Sequence, residues 1–144
     1  MTHRAETIMV AVVTAVTGLT TTGSRVKRGR VRTVLTPPAL SVEMGADDVS
    51  PDRSSFPLIE RDLNVKIIIH VQDNDEPDTQ LNLVREEVYA ALLADTTLGE
   101  SFVVDTESIG DDEPELTGDA DQVTGSQQMN FVVKYRHSWD DAGA

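Results

Sequence analysis

Apolar residues recur along the chain with two different periods, and the periods divide it into elements. Between positions 3 and 17, Ile8, Val12 and Val16 repeat at helical spacing, and Met9, Val13 and Leu19 widen the stripe. Ile8, Val10, Val12 and Val16 also alternate, but this stretch is long for a strand, so a helix closed by Gly18 is expected. A turn at 20–23 follows. Residues 25–34 alternate poorly, carry many cations and read as a strand, with Pro37 and Pro38 interrupting it. Leu40, Val42 and Met44 then alternate with Ser41 and Glu43, as a half-buried strand does. Residues 45–57 read as a long loop holding Asp47, Asp48 and Asp52.

The clearest alternation comes next. Leu63, Val65, Ile67, Ile69 and Val71 share one face while Asn64, Lys66, His70 and Gln72 share the other, with Ile68 the exception. That pattern predicts a central strand with one buried face. Asp73, Asp75, Glu76 and Pro77 open a helix, because carboxylates near a helix start meet unpaired amides and Pro suits the first turn. Leu81, Val84, Val88, Ala91 and Leu92 form its apolar stripe, with Arg85, Glu86 and Glu87 off it. The helix is expected to end near Ala94, and Leu98-Gly99 to turn the chain into a short strand at 102–109. Residues 110–126 show no periodicity and several acids, which predicts a structureless loop, disordered or ordered by a partner. Met129, Phe131, Val133 and Tyr135 alternate with Asn130, Lys134 and Arg136 in a last strand, and 139–144 read as a frayed tail. The order of elements predicts one domain over 1–144 of α+β class: two helices packed on one face of a largely antiparallel (mixed) β-sheet, with long partner-contacting loops.

Composition narrows the chemistry. The chain has 144 residues, 25 acids against 12 Lys and Arg, a net charge of −13 and no Cys. A chain of this size buries roughly 70% of its unfolded surface, enough for a core without metal or disulfide. The lack of Cys excludes disulfide scaffolds, thiolate zinc sites, iron–sulfur clusters and thiol nucleophiles. The apolar run 8–13 is faintly like a signal peptide, but Glu6 sits in its would-be basic region and Thr14 and Thr17 end its apolar centre. No window approaches the roughly 20 apolar residues of a membrane span, so a soluble chain is expected.

Each candidate site has a plainer reading beside it. Gly18 to Arg25 has the outline of a phosphate loop, yet Ser24 and Arg25 stand where Lys and Ser or Thr are needed, and a strand precedes such loops. A helix-to-strand turn fits better. Counting a calcium loop from Asp73 puts Asp78 and Val84 where Gly and Glu belong, so helix capping explains those acids. His3, His70 and His137 supply no helical pair of metal ligands. His70 and His137 could meet across adjacent strands, but solvent-facing histidines are the expected case. No Ser lies in a nucleophile elbow. Neither catalysis, a cofactor nor a metal is expected.

Charge is segregated. Arg25, Lys27, Arg28, Arg30 and Arg32 place five cations and no anion within eight residues of an otherwise acidic chain. Three readings stand open. The run meets acids of another copy, such as Asp111, Asp112, Glu113 and Glu115; complementary patches of that kind set register and association rate. It protects a solvated edge strand from stray pairing. Or it contacts nucleic acid, against which stand the net charge and the absence of stacking aromatics among the cations.

Several short motifs, in order, resemble the tail terminator proteins of long-tailed phages, the minor tail protein U type among them. They are 19–26 after the first helix, Pro38-Ala39-Leu40, the acidic turn 45–48, the strand closing at Asp73, the helix 81–93, the turn 95–99 and the last strand ending in Tyr135-Arg136. The likeness spans about 5–136 and is weakest at 110–126. It implies a structural virion protein at the head-proximal end of the tail, assembled in the host cytoplasm. There a homohexameric ring caps the tail tube, stops its polymerisation and presents a surface to a head-completion or connector protein. DNA would pass through the lumen without specific binding, and anionic walls would repel its phosphates. No cofactor, catalysis or membrane contact is implied. Another head–tail connector or completion protein is the alternative, and a nucleic-acid-binding module a more distant one.

Overall fold

The computed structural model describes residues 2–29, 36–73, 75–119 and 122–143. Among these, two helices and six strands follow in the order α1 (Arg4–Val16), β1 (Val26–Arg28), β2 (Ala39–Val49), β3 (Leu58–Gln72), α2 (Pro77–Leu93), β4 (Val103–Asp111), β5 (Glu115–Asp119) and β6 (Gln122–Ser138). The strands form one sheet in the order β1-β2-β3-β6-β4, with β5 also paired to β6. Only β1 and β2 run parallel; the other pairings are antiparallel. The class is therefore α+β with a mixed sheet, as the periodicity predicts.

Alternation decides what is buried. Leu63, Val65, Ile67, Ile69 and Val71 of β3 face the helices together with Met129, Phe131, Val133 and Tyr135 of β6 and Leu40 and Val42 of β2. Ile8, Met9, Val12 and Val16 of α1 and Leu81, Val84, Val88 and Leu92 of α2 close over them as one core. Each such aliphatic side chain contributes about 1.5–3 kcal/mol relative to exposure. The α2 start is organised by Asp73, whose Oδ1 accepts from the Asp75 and Glu76 amides at 2.9 and 3.2 Å. Those bonds hold the Asp73 carboxyl below its usual range. At the other end, Leu98 and Gly99 turn the chain with φ of 54° and 73°.

Four expectations need correction. The supposed loop 45–57 is shorter than expected: β2 runs on to Val49 past a register shift between Met44 and Asp47, leaving 50–57 as the connection before β3 begins at Leu58. Met44, expected inside, is 56% exposed. Asp47 is tolerated beside the core because Tyr135 donates its hydroxyl to Oδ2 at 2.8 Å. The segment 110–126 is not structureless: β4 reaches Asp111, and 115–119 pair with 122–126. An exposed edge strand needs no apolar face, so this one left no periodicity to read. The tail expected to fray is tied back, Trp139 donating its amide to Pro57 O at 2.8 Å and Arg4 its amide to Ala142 O at 3.0 Å.

Candidate subunit interface

The described part of the basic run, residues 25–29, lies at one edge of the sheet. Val26, Lys27 and Arg28 pair with Leu40, Ser41 and Val42. Arg25, just before, is turned inward: its Nε donates to Pro38 O at 2.8 Å and its Nη2 to Thr21 O at 2.9 Å. Arg28 lies on the helix side, where Nη2 reaches Glu6 Oε1 of α1 at 2.9 Å. That bond lowers the Glu6 carboxyl and raises the Arg28 guanidinium from their ordinary values. Lys27 is exposed. Arg30 and Arg32 lie outside the described residues.

The acids lie on the opposite edge. β4 and β5 run along the same side of β6 as one long edge strand, broken at 112–114. Asp111 closes β4, Asp112 and Glu113 occupy the break and Glu115 opens β5. Asp111 serves its own chain. Its side chain is 5% exposed; Arg85 of α2 donates to Oδ2 through Nε at 2.9 Å and Nη2 at 2.6 Å, and Tyr89 donates at 2.7 Å. Asp111 thereby raises the Arg85 guanidinium further. Asp112 accepts from Asn130 Nδ2 at 2.9 Å, while Glu113 and Glu115 are exposed. Of the four acids, Asp112, Glu113 and Glu115 are exposed and the Asp111 side chain is not.

The sequence held no sign of Arg85, Tyr89 or Gln127 as members of this edge. Arg85 and Tyr89 come from a helix 26 and 22 positions from Asp111. Gln127 is 6% exposed; its Nε2 donates to Asp112 O at 3.0 Å, while Oε1 is buried without a partner. It lines a cavity of about 210 Å³ beside Asp112, Glu113 and Glu115, and another of about 240 Å³ beside Asp78, Asn82 and Pro114.

Elsewhere the candidate chemistry resolves into structure. The stretch 18–23 is a closed turn, Gly18 N–H to Gly23 O and Gly23 N–H to Leu19 O both 2.8 Å. The Thr21 amide, a donor a phosphate would need, is taken by Glu87 Oε1 at 2.9 Å. His70 and His137 do not meet: they pair with Ser126 and Ile59, at opposite ends of the β3–β6 ladder. His137, expected at the surface, is 3% exposed. Arg61 Nε donates to its Nε2 at 2.8 Å, so Nδ1 carries the proton and donates to Ser138 O at 2.7 Å. Among the described residues no three His, Cys, Asp or Glu group as metal ligands, and no helix is long and apolar enough to cross a membrane. A groove of about 580 Å³ between α1 and the end of α2 is lined by Val10, Ala11, Ala15, Ala91 and Leu98, with Glu6, Asp95 and Glu100. Two of those acids are engaged locally, Glu6 by Arg28 and Asp95 by the Thr97 and Gly99 amides.

No protein-family model and no curated protein matches the chain. Among solved structures it is similar to a chain described as the virion of a native gene transfer agent (GTA) particle, with a TM-score of 0.59 and 15% identity over 93% of this chain and 88% of that one. At that identity the likeness establishes a shared α+β fold over nearly the whole of both chains.

Proposed function

We propose that the chain is a structural virion protein: a tail terminator whose copies close into a ring on the end of a tail tube. The observation that carries this is the placement of a basic edge and an acidic edge on opposite sides of one sheet. Like-with-unlike contacts of that kind are heterologous, and a heterologous contact that closes makes a ring. The fold likeness to a virion chain supports the setting, and the ordered motif resemblance supports the terminator role. The ring would stop addition of tube subunits by covering their last free surface and would offer its outer face to a connector protein. It makes and breaks no bond, and takes no cofactor. Another head–tail connector would share fold and charge pattern, and differs in binding the head vertex instead of the tube end.

Native mass spectrometry and negative-stain microscopy test this. Rings near six times the 15.7 kDa chain mass, seated on the ends of isolated tail tubes, are the expected result. Single copies at every concentration that ignore tube ends would overturn it. Filter binding separates the nucleic-acid reading, which requires an affinity for DNA falling steeply with salt.

A further inference from the structure

We infer that the groove between α1 and the end of α2 docks a cationic amphipathic segment of a different protein, its apolar face against α1 and its Lys and Arg flank toward the 95–100 turn. This goes beyond the ring reading. Every described residue of the groove belongs to a helix, to that turn or to Thr2, so neither edge of the sheet is used. The groove owes its depth to short side chains. Ile8, Met9, Val12 and Val16 turn one stripe of α1 into the core. Thr7, Ala11 and Thr14 follow at spacings of four and three on the adjoining stripe and line the groove together with Ala91 and Leu98. Residues that small leave about 580 Å³ between the walls. Thr14 donates its hydroxyl to Val10 O at 2.9 Å, within α1, and Val10 lines the groove while 54% exposed. Water over apolar surface of this kind is released when a helix lays its own apolar face there.

Charge selects the occupant. Among the described residues no Lys or Arg lines the groove, whereas Glu6 stands on the α1 wall and Asp95 and Glu100 on the other. Arg28 answers Glu6, so the uncompensated charge lies on the turn. The Thr97 hydroxyl and amide and the Gly99 amide donate to Asp95 and hold its carboxyl below the usual range. Those donors are neutral and stabilise the anion without cancelling it. The carbonyl end of α2 adds to the same wall: Ala91 lines it, and no basic residue stands in the last turn of that helix. A helix C-terminus left so attracts cations. One wall thus takes an apolar face and the other a row of Lys or Arg.

Fluorescence anisotropy with a labelled helical peptide of Leu, Ala and Lys, its lysines along one flank of the apolar face, tests the groove on the full chain. That peptide should bind, a scrambled peptide of the same composition at least tenfold more weakly, and a counterpart with Glu for Lys not at all. Glu100→Lys should weaken binding at least tenfold, while Glu113→Lys, an equal change of charge on the β4–β5 edge, leaves it within twofold. Should Glu100→Lys fail to fold, Glu100→Gln replaces it, with Glu113→Gln as its control. Val10→Ser should weaken binding severalfold and Leu83→Ser, 50% exposed on α2 outside the groove, should not. Equal affinity for the scrambled peptide, or equal loss in Glu100→Lys and Glu113→Lys, would show attraction to the net charge alone and overturn the groove. Rings that fall apart in Val10→Ser without any peptide would place a second copy there and overturn it as well. A chain that stays single yet binds the ordered peptide would overturn the ring and leave the groove standing.

Discussion

At Asp111 the chain commits a carboxylate to itself. Arg85 reaches it with two donors and Tyr89 with a third, while the other oxygen stays bare. Arg85→Ala would leave a buried anion facing one phenol, and should lower unfolding free energy by about 1–3 kcal/mol in urea titration. Arg85→Lys should recover only part, since a point ammonium cannot replace the fork. Titration adds a second prediction. Burial lowers the His70 pKa from 6.5 against a smaller opposing effect of Glu43. The unfolded chain then binds more protons, so stability is full above pH 6.5 and lost as pH falls through the lowered folded value. His70→Gln should remove that component of the pH–stability curve. Asp73 and Asp95 behave alike lower down: both are held below 3.8, by the Asp75 and Glu76 amides and by the Thr97 hydroxyl and amide respectively. Their contribution is present above pH 3.8 and vanishes in stronger acid, and Asn at either position should flatten that limb.

Elements buried on one face were legible in the sequence, and elements at the edge were not. The β3 and β6 alternation and the α2 stripe announce themselves because desolvation selects every second or every third to fourth residue. β5 has no buried face of its own; Glu115, Leu116 and Thr117 are all exposed, and pairing comes from its backbone. The same blindness hid the outer half of β2, whose pairing continues past Met44 through Asp47, Asp48 and Val49. The basic and acidic patches could be named from sequence, but their placement at opposite edges depends on strand order, which no local pattern records. Gly125 is where β5 depends on β6. A Cβ there would lie 3.0 Å from Leu116 Cδ2 and 3.1 Å from Val71 Cγ2. Gly125→Val should therefore push β5 away, costing about 1–3 kcal/mol and speeding hydrogen exchange at the amides of 115–119.

For the whole molecule, charge works in two directions. Each copy carries −13, so approaching copies repel over the Debye length, about 30 Å at 0.01 M salt and 10 Å at 0.1 M. In the proposed ring, contacts between the basic and acidic edges would act at much shorter range and survive moderate screening. Ring formation should accordingly strengthen as salt rises from about 0.01 to 0.15 M and weaken again near 1 M, which sedimentation velocity would resolve. A steady decline from the lowest salt would mean that edge attraction, not net repulsion, governs assembly throughout.

The long strand β6 pairs with β3 from one end to the other and with β4 and β5 along its remaining side. It is also the last element in chain order. During synthesis the middle of the sheet therefore stays open until the ribosome has released 122–138. Until then β3, with its row of Ile and Val, is an unpaired edge available to any other nascent chain. Long-range pairing of this kind is slow and prone to aggregate. Translation pausing ahead of β6, or a stop codon within it, should therefore send the product to inclusion bodies rather than leave a smaller folded domain.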